Sequence, residues 1–146
     1  MKPEKIVYTA FAEATGGREG WVKSNDGALD FALTTPKELG GAGKFGVNPE
    51  QMFAAGYAAC FIGALKFVCQ KEKLNLPEST EVSAEVGIGP TVEGFNIAVV
   101  LNVTLPGFER AAALQLIEKA HGVCPYSNAT RGNIDVDLNL VAKHDA

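Results

Sequence analysis

Asn48-Pro49-Glu50 opens the longest apolar stretch of the chain, QMFAAGYAACFIGALKFVCQ over residues 51–70. Asparagine suits an N-cap, proline the first helical position, and glutamate the first turn. The pattern predicts a helix that runs to about Leu74, ahead of Asn75 and Pro77. About 25 residues at 1.5 Å each give roughly 37 Å of helix. A compact chain of this length has a diameter of about the same size, so the helix crosses the whole subunit. Met52 to Leu65 is apolar nearly all round, and such a surface has to be covered on every side. A partner subunit is the simplest cover, and a homodimer is expected. The uncharged run from Gln51 is stopped by Lys66, which is short for a bilayer span. No membrane association is expected.

The other segments arrange themselves around that helix. Residues 4–14 read as a strand. WVKS and ALDFALT flank Asn25-Asp26-Gly27, a hairpin signal. Residues 35–49, TPKELGGAGKFGVNP, form a glycine-rich connection long enough to suggest a functional loop. TEVSAEVGIGP and FNIAVVLNVTL read as two long antiparallel strands with a turn near Val92 to Gly94. Residues 109–122 read as a second helix with Ala112, Leu116, Ile117 and Ala120 on one face. A short helix follows Cys124, and NIDVDLNLVA alternates as a last strand. Without repeats or a domain boundary, the expectation is one α+β domain over residues 1–146 with mostly antiparallel strands.

Charge and cysteine content narrow the functions. Thirteen basic against seventeen acidic residues leave a net charge of −4, which is poor for gripping phosphate backbones and argues against nucleic acid as a partner. The N-terminal residues lack an apolar run of signal-peptide length, so a cytoplasmic, reducing compartment is expected. Three cysteines, Cys60, Cys69 and Cys124, are an odd number. A static disulfide framework does not follow from them; a bond between any two reads as transient and catalytic.

Cys60 sits among alanines and phenylalanine, where a cysteine ordinarily serves as a small hydrophobe. Gly56, Cys60 and Gly63 share one helical face by the 100° step, a stripe of small residues that lets another segment or a ligand approach. Cys69 lies on the opposite side and reads as core filler. Cys124 precedes Pro125 and is therefore extended. If Pro125 begins a helix, Cys124 is its N-cap, where a thiolate is favoured. The same segment also fits an ordinary buried turn cysteine.

VYTAFAEATGGREG, ELGGAGKFGVNPEQMFAAGYAACFIGAL and HGVCPYSNATRGNIDV closely resemble the organic hydroperoxide resistance proteins, a branch of the OsmC-like superfamily. The resemblance covers nearly the whole chain. It implies an intertwined homodimer, with two mostly antiparallel sheets wrapped around long central helices. It also implies a thiol-dependent peroxidase of organic hydroperoxides. Carried over by motif, Cys60 is the peroxidatic cysteine, Cys124 the resolving cysteine, Arg18 the cation beside the reactive thiol and Glu50 its carboxylate partner. The resemblance implies no bound cofactor. The external reductant would be a dihydrolipoyl dithiol on a lipoylated protein, and the substrates would be organic hydroperoxides such as those of fatty acids.

The chemistry of this set is coherent. A buried thiol in apolar surroundings has a raised pKa and is inert, so a peroxidase needs a cation beside it. Arginine stays protonated when desolvated, and a carboxylate can pair with it in bidentate fashion. Phe53, Tyr57 and Phe61 flank Cys60 in the helix and suggest a site for hydrocarbon tails. Glu50 and Cys60 are roughly 15 Å apart along a straight helix. Either the helix starts late, or Arg18 swings, or Glu50 comes from the partner subunit; the last fits the expected dimer. Three rivals stand beside this reading. One is a non-catalytic binder of apolar ligands or a redox sensor on the same fold. Another is a peroxidase with less bias toward organic substrates. The third is a metal site built from His121, Cys124, Cys60 and His144, although structural zinc sites usually show a second close-spaced pair.

Overall fold

The computed structural model describes residues 1–141. They group into two compact units, Met1–Met52 and a second that begins at Phe53; the division falls inside the long helix. His144 lies outside the described residues.

The first unit is built on a three-stranded antiparallel sheet of β1 (Ala12–Thr15), β2 (Trp21–Ser24) and β3 (Asp30–Ala32), in that spatial order. The hairpin expected around Asn25-Asp26-Gly27 joins β2 to β3, with Gly27 at φ 77°. The strand expected over residues 4–14 is real only at its end. Ala12 pairs with Ser24 and Thr15 with Trp21, which uses all of β2. Phe11 comes opposite Asn25, where the chain already turns, and only its carbonyl accepts a bond from the Asn25 N–H. Residues 4–11 have no ladder partner among the described residues. Ile6, Val7 and Tyr8 are mostly exposed.

The glycine-rich connection is closed at its base, where Leu33 bridges Val47 and the Thr34 N–H donates to the Val47 carbonyl. The long helix α1 (Pro49–Lys71) starts where the sequence signals place it and stops three residues earlier than expected. Its start carries a reciprocal cap. Asn48 Oδ1 accepts from the Gln51 N–H at 2.8 Å, and Gln51 Oε1 accepts from the Asn48 N–H at 2.9 Å.

The second unit holds most of α1 with β4 (Glu81–Pro90), β5 (Phe95–Thr104), α2 (Arg110–Val123), α3 (Pro125–Thr130) and β6 (Val136–Leu140). β4 and β5 are a ten-residue antiparallel pair. β6 runs parallel to β5, because the helical connection through α2 and α3 is long enough to return the chain in the same direction. The sheet order is β4-β5-β6. The central strand alternates, burying Val99, Leu101 and Val103. These meet Tyr57, Phe61, Leu65 and Val68 of α1 and Leu116 and Ile117 of α2 in one core. On α2 the inward residue is Ala113, not Ala112. By the 100° step Ala113 lies within the arc of Leu116, Ile117 and Ala120, and Ala112 falls outside it.

α1 is long and apolar enough to cross a bilayer by length and composition alone, which its uncharged run did not suggest. Six of its residues are buried in the protein, including Tyr57, Phe61 and Leu65 at 0% exposure. That is the burial of a core helix rather than a clear membrane span.

Candidate active site

In the first unit the sequence TGGREG makes a tight turn that only glycine permits. Gly16 is left-handed at φ 75°, and a Cβ on Gly20 would lie 1.6 Å from the Thr15 carbonyl oxygen. Arg18 sits in the single 3-10 turn between them. The turn is clipped to the loop that follows β3. Glu19 Oε1 accepts from the Thr35 N–H, and Thr35 Oγ1 donates to the Arg18 carbonyl.

Arg18 meets Glu50 across 32 residues of sequence in a two-pronged bond, Nη1 to Oε1 at 2.7 Å and Nη2 to Oε2 at 3.1 Å. Hydrogen bonding to Glu50 holds the guanidinium above its ordinary pKa. The arginine side chain is 36% exposed, so the pair is worth about 0.2–1 kcal/mol to stability. Its stronger physical effect is orientation, since a forked carboxylate fixes the guanidinium plane. Glu50 is itself fixed by the capped first turn of α1 and is favoured there by the helix dipole.

In the second unit Cys60 is half-buried in the middle of α1, and Cys124 is fully buried at the entry to α3. Cys124 is the extended N-cap residue expected from its proline, with φ −62° and ψ 122°. Burial pushes the Cys60 thiol above its ordinary range. The nearness of Cys124 pushes it further, by charge and by hydrogen bonding, and the Tyr126 backbone N–H pulls the other way. The two thiols are thus neighbours, although 64 residues separate them (124 − 60).

The stripe of small residues explains the approach. A Cβ on Gly56 would lie 3.2 Å from the Tyr126 ring, so glycine there lets the segment after Cys124 settle onto α1. Cys69 is buried in the core at 2% exposure, as expected of filler. Burial and then Glu72 raise its pKa.

Of the three aromatic residues expected to flank the thiol, Tyr57 and Phe61 are fully buried and are core rather than lining. Phe53 does reach an apolar cavity of about 330 Å³, beside Tyr126, Ile97, Ala129 and Ile134. Phe53, Tyr57 and Tyr126 pack edge-on or tilted with ring centres 5.7–6.0 Å apart. The sequence reading missed a cluster of buried hydroxyls. Tyr57 Oη lies 2.7 Å from Ser127 Oγ and 3.4 Å from Thr130 Oγ1. The signal was available, because a tyrosine in an otherwise apolar helix needs a partner for its hydroxyl.

The structure therefore brings Arg18 to Glu50 and Cys60 to Cys124. Among the described residues no group of three or more His, Cys, Asp or Glu side chains is placed to hold a metal ion. The capped start at Pro49 removes the option of a late helix start.

Residues 40–139 match the family model described as OsmC-like protein. The chain is 60% identical to an organic hydroperoxide resistance protein of Xanthomonas axonopodis pv. citri, over 94% of this chain and 97% of that one. A crystal structure of an organic hydroperoxide resistance protein from Legionella pneumophila superposes with a TM-score of 0.89 at 46% identity, covering 94% of this chain and 100% of that one. The structure of OhrB of Bacillus subtilis gives a TM-score of 0.85 at 43% identity, over 93% and 100%.

Proposed function

The chain belongs to the organic hydroperoxide resistance proteins of the OsmC-like family, and from that premise we propose that it is a cysteine-based peroxidase that reduces organic hydroperoxides to alcohols. The observation that carries the reading is the pair of free, neighbouring thiols on α1 and at the entry to α3.

In the proposed cycle the Cys60 thiolate attacks the distal oxygen of R–O–O–H. The O–O bond breaks, a proton goes to the departing alkoxide, and the alcohol leaves Cys60 as a sulfenic acid. The Cys124 thiol then displaces water from that sulfenic acid and the two form a disulfide, which protects Cys60 from irreversible oxidation. An external dithiol, dihydrolipoyl on a lipoylated protein, reduces the disulfide by exchange and becomes a disulfide itself. No resident cofactor enters these steps. The apolar cavity beside Tyr126 suits a hydrocarbon tail.

Burial alone leaves the Cys60 thiol mostly protonated at neutral pH, so the cycle needs a cation. Arg18, oriented by Glu50, fills that role in the proposal. The two residues act as a unit, and the protein acts as a homodimer in which the pair of one chain serves Cys60 of the other. The roughly 15 Å of helix between Glu50 and Cys60 and the apolar length of α1 favour this arrangement.

Steady-state consumption of tert-butyl hydroperoxide and hydrogen peroxide, with dihydrolipoamide as reductant, tests the function. Preferred turnover of the organic substrate, abolished in Cys60→Ser, is expected. Turnover that persists in Cys60→Ser would remove the peroxidase assignment. Absence of turnover in the native protein would leave a binder or sensor.

A further inference from the structure

Resting on the peroxidase reading, we propose that the buried Tyr57–Ser127 hydrogen bond is a positioning latch that holds Cys124 against Cys60 while the sulfenic acid is resolved. Tyr57 precedes Cys60 by three residues on α1, and Ser127 follows Cys124 by three residues on α3. The bond thus ties the turn before one cysteine to the turn after the other.

Both partners are fully buried and 2.7 Å apart. Thr130, 7% exposed, completes the cluster, lying 3.4 Å from Tyr57 Oη and donating to the Ser127 carbonyl. Apart from contacts of Cys60 itself, these are the side-chain hydrogen bonds between α1 and α3 among the described residues.

α3 needs such a tie. It has six residues, and a helix that short has no stability of its own. At its far end Arg131 grips the His121 carbonyl and Asn128, which anchors α3 to the end of α2 but not to the helix that carries Cys60. The tyrosine ring is packed by Phe53 and Tyr126. The hydroxyl is therefore the part of Tyr57 that reaches α3's Ser127, and its removal leaves the ring packing in place.

The step that depends on the latch is condensation. The Cys124 sulfur displaces hydroxide from the Cys60 sulfenic acid, its proton leaves with the hydroxide as water, and the S–S bond forms. That displacement needs two sulfurs held in line, and a displacement of about 1 Å costs up to a hundredfold in rate. The attack of Cys60 on the hydroperoxide does not involve Ser127, and tert-butyl hydroperoxide has no long tail to seat in the cavity that α3 lines beside Tyr126, so with this substrate the first step depends less on α3's position.

Tyr57→Phe leaves the Ser127 hydroxyl buried and without this partner. Removing both groups together relieves that cost, because it is the orphaned partner that is expensive. The double variant Tyr57→Phe/Ser127→Ala separates stability from positioning for this reason.

The test follows the reduced full-length protein after one equivalent of tert-butyl hydroperoxide. Stopped-flow measurement gives the first oxidation, and rapid alkylation with intact-mass analysis gives sulfenic acid and disulfide. Oxidation of Cys60 should stay within about twofold of the native rate in both variants, while disulfide formation slows about tenfold or more. The double variant should recover thermal stability relative to Tyr57→Phe without recovering the rate of disulfide formation. The latch is overturned if Tyr57→Phe closes the disulfide at the native rate, if both steps slow equally, or if the rate returns with stability in the double variant. Failure of native Cys60 to oxidise would instead overturn the peroxidase reading, and the latch with it.

Discussion

Replacing Arg18 by alanine tests how a buried thiol is made reactive. An ordinary thiol near 9.0 is about one part in a hundred thiolate at pH 7, and burial pushes Cys60 above that. A guanidinium within about 4–6 Å lowers such a value by about 1–3 units, and each unit multiplies the thiolate population about tenfold until the thiol is mostly ionised. Part of that gain is returned, because a thiolate loses nucleophilicity as its pKa falls, with a coefficient of about 0.4–0.5. With the same coefficient for attack on oxygen, the net gain is about threefold per unit. Arg18→Ala should therefore slow the first oxidation about 3- to 30-fold at pH 7. The direction of the pH effect follows from the sign of the shift. Loss of the cation raises the Cys60 pKa, so the deficit is largest at neutral and lower pH and shrinks as pH rises past 9. Stopped-flow oxidation of the reduced protein by excess cumene hydroperoxide, from pH 6 to 10, reads this directly. Superimposable pH–rate profiles for the native protein and Arg18→Ala would refute the reasoning.

Cys124→Ser should oxidise once at Cys60 and then stall, with sulfenic acid accumulating and no recycling by dihydrolipoamide; single-turnover thiol titration checks this. Leu65→Ala should destabilise the fold by about 2–5 kcal/mol in denaturant unfolding, because Leu65 is fully buried in the core. Asn48→Ala should cost about 1 kcal/mol, with most of it restored by Asn48→Ser, since the cap depends on the side-chain oxygen. Mixed dimers of Glu50→Ala subunits, slowed alone, and Cys60→Ser subunits, inactive alone, should show one site that oxidises at the native rate; a site that stays slow in verified heterodimers would place the two residues in one chain.

Local signals in the sequence carried most of the fold. The cap at Asn48, the alternation of residues 133–142 and the proline after Cys124 each have a mechanism that acts within a few residues, and the start of α1, β6 and α3 lie where those signals place them. The failures depend on distant partners. Residues 4–11 have strand-like composition, but pairing is decided by the length of β2, four residues. The parallel return of β6 depends on what the intervening helices allow. Ala113 rather than Ala112 is the exception, because the local 100° step already places it among Leu116, Ile117 and Ala120. In the site, the types and motifs of Cys60, Cys124, Arg18 and Glu50 were legible. The hydroxyl cluster was legible only by half: Tyr57 in an apolar helix signals that its hydroxyl needs a partner, but Ser127 and Thr130 lie 70 and 73 residues from it and nothing local identifies them.

Non-reducing peptide mapping of the protein after one equivalent of organic hydroperoxide tests the central claim most directly. A Cys60–Cys124 bond with Cys69 still alkylatable is predicted. Cys60 and Cys69 are nine helical residues apart, roughly 13 Å, beyond the reach of about 7 Å between Cα atoms that a disulfide needs. Cys124 left free after Cys60 has been oxidised, or a bond that includes Cys69, would contradict the account.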